Sequence, residues 1–255
     1  MTTTWIVFCK DAVLLYKSPT GLGIFPKGEK PPVDPKPWTH IQEVYLSETE
    51  RYCAFETETP PCIPGHELVP LRASYYYLSE ESYRMAGKAR ELLYWDSGSR
   101  FCGTCGAPMQ FHTSISKRCT NCGREIWPPL ATAIIVRITK GDQILLVRAR
   151  NFRSDFYGLV AGFVETGEDL EQAVRRETAE ETGISIRNIR YFASQPWPYP
   201  AGIMVGFTAE YADGTVRLQH EELASGGWFD RENLPNLPEP LSIARWLIDD
   251  WLKQD

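Results

Sequence analysis

The chain has 255 residues, 43% of them hydrophobic, and a formal charge of −6. That length suits one large or two small globular domains, the apolar share is enough for packed cores, and the net acidity argues against a general nucleic-acid coat. The first apolar run, at residues 5–8, is closed by Lys10 and Asp11, so neither a signal peptide nor a membrane span is expected, and a cytoplasmic protein is.

Residues 4–16 predict two strands around a Lys-Asp turn, and residues 52–55 and 68–71 predict further short strands. Prolines make residues 26–37 and 60–64 loops over a β-rich module. Arg72 follows one of these strands, where an arginine is ordinarily a surface or ion-pairing residue. Helical periodicity covers residues 80–94 despite Gly87, and residues 95–98 read as a stop.

Cys102 and Cys105, then Cys119 and Cys122 thirteen residues on, form two C-x2-C knuckles with Gly103, Gly106 and Gly123 beside them. Four thiolates so spaced predict a closed tetrahedral site, structural Zn2+ or less often iron; two redox pairs would want a surrounding βαβ pattern, which is missing. The ribbon is locally basic, with Arg100, Lys117, Arg118 and Arg124. This keeps open a non-catalytic, nucleic-acid-binding regulator. Cys9, Cys53 and Cys62 read as small packing residues.

After Pro129 the apolar runs ATAIIVRI and QILLVRA flank Lys140-Gly141-Asp142, a hairpin. Strands are expected at 156–163, 189–193, 203–211 and 227–229, and a last helix at 241–252. Between them, residues 169–182 lack proline and glycine and carry helical periodicity, which puts Glu177, Glu180 and Glu181 on one face. Three carboxylates so close repel by roughly 0.2 to 0.5 kcal/mol per pair. A solvated acidic face is the plain interpretation; a hard divalent ion such as Mg2+ is the functional one. Residues 194–200, SQPWPYP, cannot be a central strand. They form a stiff connector, or a loop whose aromatics stack on a base or nicotinamide ring.

The offsets of Gly162, Glu168, Arg176, Glu177, Glu180, Glu181 and Gly183 match every fixed position of G-x5-E-x7-R-E-U-x-E-E-x-G-U, with Thr178 at the first aliphatic position U. The segment resembles the Nudix box. SQPWPYP and the following Ala201-Gly202 resemble the S-Q-P-W-P-[FY]-P-x-S motif of the NADH pyrophosphatase (NAD-capped RNA hydrolase) branch, with Gly202 at the final serine. This resemblance implies an α+β protein: a β-rich N-terminal domain at 1–98, a zinc ribbon at 99–127 and a Nudix α/β/α sandwich at 128–255. It implies that Glu177, Glu180 and Glu181 hold Mg2+ or Mn2+, that Glu168 braces or joins them, and that Arg176 orients the acids. Ala161, through its carbonyl, and Glu222 would be further metal ligands.

Gln195, Pro196, Trp197, Pro198, Tyr199, Pro200, Ala201 and Gly202 would line the dinucleotide site, with Arg72, Trp127 and Ala244 as lesser contacts. The family often has an acid near Ser114 and a tyrosine at Trp127. Gly162, Gly167 and Gly183 are expected to serve through positive φ. Glu181 is the candidate base, with activation by metal alone left open. The implied reaction is hydrolysis of NADH or NAD+ to nicotinamide mononucleotide and AMP, extending to NAD-capped RNA, in a homodimer; an ADP-ribose pyrophosphatase is the alternative.

Overall fold

The computed structural model describes residues 2–18, 21, 23–36, 39–44, 52–150 and 155–254. Pro37, the last residue of one expected proline loop, and the terminal Met1 and Asp255 lie outside them. The chain separates into two compact units, Met1–Pro129 with Pro198–Ala201, and Leu130–Trp197 with Gly202–Asp255.

In the first unit, β1 (Thr3–Cys9), β2 (Ala12–Lys17), β3 (Gly23–Ile24), β4 (Lys27–Gly28), β5 (Gln42–Val44), β6 (Tyr52–Glu56) and β7 (His66–Pro70) form one sheet. The short helix α1 (Leu71–Ser74) and the long α2 (Glu80–Gly98) follow, so Leu71 starts a helix instead of ending a strand and Arg72 lies in α1. Two residues of the expected proline loop, Lys27 and Gly28, pair with Thr4 and Thr3. Ile6, Phe8, Val13 and Leu15 pack against Met85, Ala89, Leu92 and Leu93 of α2. Trp5, Val7, Leu14 and Phe55 form the opposite face, under Val33 and Ile63 of the proline-rich segments.

The expected stop at residues 95–98 is overturned, because α2 runs to Gly98. Trp95 is buried in the core, and Asp96 accepts an ion pair from Lys117 at 2.6 Å. The Lys117 ammonium also donates to the carbonyl of Asp96 and to Ser99, which ties the helix end to the ribbon. Tertiary partners here outweigh the local turn signal. The ribbon itself is β8 (Met109–Thr113), β9 (Ser116–Cys119) and β10 (Glu125–Ile126).

The second unit holds β11 (Ala131–Lys140), β12 (Gln143–Ala149), β13 (Val160–Phe163), α3 (Leu170–Thr182), β14 (Ile184–Pro196), β15 (Gly202–Gly214), β16 (Leu223–Phe229) and α4 (Ile243–Leu252). The sheet order is β14-β15-β11-β12-β16, with β13 also on β11. Alternation sends Ile134, Val136, Leu145 and Val147 toward Ala173 and Val174 of α3. Ile135, Ile144 and Leu146 face Ile243, Leu247 and Trp251 of α4. The α/β/α sandwich expected from the sequence is therefore present. Strand β13 is shorter than the expected 156–163, since the chain before it crosses to β12, where Gly158 and Val147 exchange two backbone hydrogen bonds of 2.7 and 3.0 Å. Pro196 ends an edge strand, where a missing N–H is tolerated.

The two sheets share one plan. In the first unit the path β5-β6-β1-β2-β7, with β4 on β1, repeats β14-β15-β11-β12-β16 with β13 on β11. The central pairs β1·β6 and β11·β15 are both parallel. Helix α2 takes the place of α4 after the last strand. Between β4 and β5, where α3 would stand, the described residues carry no helix, and the sequence is proline-rich.

Candidate active site

Helix α3 begins on a capping box in which Asp169 accepts from the Gln172 amide at 2.7 Å and the Gln172 side chain accepts from the Asp169 amide at 2.8 Å. Such a cap is worth about 1 kcal/mol. The helix ends on Gly183 at φ +71°, and Gly167, at φ +95°, turns the loop before it. Thr178 is fully buried, and its hydroxyl donates to the Val174 carbonyl at 2.7 Å, so the departure from an aliphatic residue leaves no unpaired polar group.

Arg176 organises the acids. Its guanidinium grips both oxygens of Glu168, at 2.6 and 2.9 Å, and reaches Glu177 at 2.9 Å, Glu180 at 3.0 Å and the carbonyl of Phe163 at 2.9 Å. Hydrogen bonds from Arg176 and from the Glu165 amide draw the Glu168 carboxyl down to about 2. Bonds to these acids, Glu168 first, raise the affinity of Arg176 for its proton. Glu180 sits at the exposed rim.

Glu177 and Glu181 are different. Burial raises the affinity of Glu177 for a proton against the pull of Arg176. The Glu181 carboxyl is pushed up to about 8, first by burial and then by the charges of Glu177, Glu222 and Glu180. Glu181 Oε2 is buried with no hydrogen-bond partner. Glu222 reaches this group because its loop is stitched to the end of α3: the Arg217 amide donates to the Thr182 carbonyl at 2.8 Å and the Gln219 amide to the Glu181 carbonyl at 2.9 Å. An unpaired buried carboxylate oxygen among mutually repelling acids fits a hard divalent cation with oxygen ligands.

Gly162 corrects its expected role. Its φ is not among the positive ones; instead, a β-carbon there would lie 2.0 Å from Cδ of Glu177 and 2.1 Å from Oε1. Ala161 precedes it on β13, one residue from the point where the Glu177 carboxylate meets the strand. Phe163, not singled out from the sequence, is 66% exposed, and strand alternation puts it on the same face as Ala161. Its signal lay in the box itself, where an aromatic follows the first glycine.

The four expected cysteines come together, with the Sγ atoms of Cys102 and Cys122 3.7 Å apart, those of Cys105 and Cys119 3.5 Å apart, and all four within 4.8 Å of one another. Tetrahedral bonds of ~2.3 Å from sulfur to zinc set sulfurs about 3.8 Å apart, so the set is the right size for one such ion. The Thr104 amide, and that of Cys105, pull the Cys102 thiol down to about 6. Less of the ribbon's basic charge is available than its composition suggests, since Lys117 is buried on Asp96 and Arg118 pairs with Glu125. Cys9 and Cys53 are buried as expected, whereas Cys62 is exposed and so is not a packing residue.

The proline loop divides. Both polar atoms of Gln195 are engaged by the start of α4, Nε2 donating to the Leu241 carbonyl at 2.7 Å and Oε1 accepting from the Ile243 amide at 2.9 Å. Ala244 packs partly buried in the same core as Ala161. The Trp197 amide closes the loop on the Gly202 carbonyl at 2.8 Å. A β-carbon on Gly202 would stand 2.7 Å from the Ala131 carbonyl, so the pairing of β15 with β11 requires glycine where the family motif has serine. Pro198–Ala201 cluster with the first unit, where the Tyr199 hydroxyl meets that of Tyr83 at 2.8 Å and the Arg72 charge acts on Tyr199. Burial, with the Tyr83 bond, raises the proton affinity of Tyr199. Trp127 is 57% exposed, and the Ser114 carbonyl accepts from Gln42.

Residues 128–252 match the NUDIX domain family, and residues 2–95 match the NADH pyrophosphatase-like rudimentary NUDIX domain, in keeping with a first sheet that repeats the plan of the second without its α3. The chain is 42% identical over 201 residues to the NAD-capped RNA hydrolase NudC of Stutzerimonas stutzeri (strain A1501), covering 78% of this chain and 72% of that one. It is 38% identical over 228 residues to the NAD-capped RNA hydrolase NudC of Pseudomonas aeruginosa (strain LESB58), covering 86% and 82%. A NUDIX hydrolase crystal structure from Nitrosomonas europaea shares the fold at a TM-score of 0.50 and 20% identity, over 61% of this chain and 94% of that one. The chain belongs to the Nudix hydrolase superfamily, in the NADH pyrophosphatase branch that contains these relatives.

Proposed function

We propose that this protein hydrolyses the pyrophosphate bridge of NADH, and of NAD+, to AMP and the nicotinamide mononucleotide in the same redox state as the substrate, and that NAD-capped RNA is an extended substrate of the same reaction. The observation that carries this reading is the buried, unpaired Glu181 Oε2 beside Glu177 and Glu222, in a chain whose relatives are named NAD-capped RNA hydrolases. Glu177, Glu181 and Glu222, with the Ala161 carbonyl, would hold Mg2+ or Mn2+. Such an ion supplies charge neutralisation on phosphoryl oxygens and acidifies water.

The chain's own residues do the rest. Arg176 fixes Glu168 and Glu177 so that the acids meet the substrate already oriented. Water adds its oxygen to one phosphorus, the bridging P–O bond breaks with its electron pair leaving on the phosphate of the other nucleotide, and Glu181, whose ionised form the cation would favour, takes the water's proton. Phe163 and Trp197 offer faces for the nicotinamide or adenine ring, worth about 1 to 3 kcal/mol per stacked base. Cys102, Cys105, Cys119 and Cys122 would hold structural Zn2+, with no catalytic position left open.

The same reading carries a homodimer, a cytoplasmic setting and three domains at 1–98, 99–127 and 128–255. Seven cysteines, an odd number with four in metal spacing, support the setting. No described helix is long and apolar enough to cross a membrane. The test is product identification from NADH, NAD+, ADP-ribose and NAD-capped RNA with Mg2+ or Mn2+. AMP and the reduced nicotinamide mononucleotide should appear from NADH, and AMP and the oxidised mononucleotide from NAD+. Cleavage of ADP-ribose alone would overturn the substrate assignment and leave the Nudix chemistry standing.

A further inference from the structure

Gly87 stands eighth in a 19-residue helix, where glycine costs about 1 kcal/mol relative to alanine. The structure supplies a reason for it. A β-carbon at Gly87 would lie 3.1 Å from Cγ of Pro198 and 3.6 Å from its Cβ. Tyr83 lies four residues earlier, on the same face of α2, and its hydroxyl meets that of Tyr199 at 2.8 Å. Two positions on one helix face thus meet two consecutive residues of the proline loop.

The base of that loop is equally constrained. The Trp197 amide is bonded to the Gly202 carbonyl, and Gly202 has no room for a side chain against Ala131. Proline rings lock φ at positions 196, 198 and 200, so a shift imposed on Pro198 has few soft torsions to absorb it before Trp197. We propose that Gly87 and Tyr83 are positioning residues for the reaction, setting substrate affinity by holding Pro198 and Tyr199 and through them the adjoining Trp197. The inference rests on the reading of residues 195–202 as the substrate loop. It gives the helix of the rudimentary first unit a task beyond closing its own core.

The experiment compares Gly87→Ala and Tyr83→Phe with the natural protein, using NADH kinetics, thermal melting and hydrogen exchange of the peptide covering residues 195–202. Both variants should raise KM about fivefold or more with kcat within about twofold, the signature of lost binding and not of lost chemistry. Exchange in the loop should quicken in both, while Gly87→Ala melts no lower than the natural protein. Unchanged KM and unchanged exchange in both variants would overturn the proposal, as would a fall in kcat that tracks a lowered melting point. Absence of NADH cleavage by the natural protein would instead sink the substrate assignment, and loop exchange would still decide whether α2 holds the loop.

Discussion

The carboxyl carbon of Glu177 occupies the place where a side chain on Gly162 would begin, 2.0 Å from its ideal β-carbon. Strand β13 and helix α3 are locked together at this point, and the lock sets where the half-buried Glu177 carboxylate stands. Backbone conformation alone does not ask for glycine there.

Gly162→Ala should therefore fold and fail to turn over. The methyl group must displace the Glu177 carboxylate, and misplacing a catalytic group by about 1 Å costs on the order of 10²-fold in rate. Circular dichroism should show an intact fold, with kcat reduced by that factor. A variant with kcat within a few-fold of the natural protein would mean that Glu177 does not need its observed position.

Glu181 makes stability in the absence of metal depend on pH with a definite sign. Its carboxyl titrates at about 8 in the folded chain against an ordinary 4.5, so folding favours the protonated form. The stabilisation is fully present below pH 4.5 and is lost as pH rises through 8. With the chain held in chelator, melting temperature should fall from pH 5 to pH 9. Glu181→Gln should flatten this dependence, melt higher at pH 9 and show no turnover. A parallel fall in both proteins would reject the buried acid as its source.

Arg176→Lys removes a forked donor that no ammonium reproduces, since five contacts to Glu168, Glu177, Glu180 and the Phe163 carbonyl come from one planar group. We expect a loss of about 10- to 100-fold in metal affinity or activity, in the range found when groups orienting metal ligands are removed. Titration of activity against Mn2+ measures it. Equal metal dependence in the two proteins would leave Arg176 without an orienting role.

Stripping the metal from the cysteine cluster should unfold the ribbon without emptying the carboxylate site, because Cys102, Cys105, Cys119 and Cys122 close on one centre far along the chain from Glu177 and Glu181. Metal analysis with melting curves before and after thiol-selective extraction reads this directly. A fully active, equally stable protein with no metal on the cluster would contradict it.

Periodicity and spacing carried the local features. The Lys140-Gly141-Asp142 hairpin, the helix from Leu170 to Thr182 and the two cysteine knuckles each depend on residues within a few positions of one another, so they are visible before any folding is known. The stop expected at residues 95–98 failed for the opposite reason. Lys117, some twenty residues on, holds the helix end that the local turn residues would release.

What the amino-acid sequence determined by itself is the inventory: the seven fixed box residues, four metal-spaced cysteines and the proline-rich loop, each encoded in short-range order. Only the tertiary structure decided that Glu181 Oε2 is buried without a partner, that Gly162 is needed for space and not for torsion, that the Gln195 amide is engaged at the start of α4, and that Gly87 meets Pro198. Burial, unpaired oxygens and steric exclusion arise from atoms brought together across tens or hundreds of residues, and a one-dimensional pattern carries no measure of that distance.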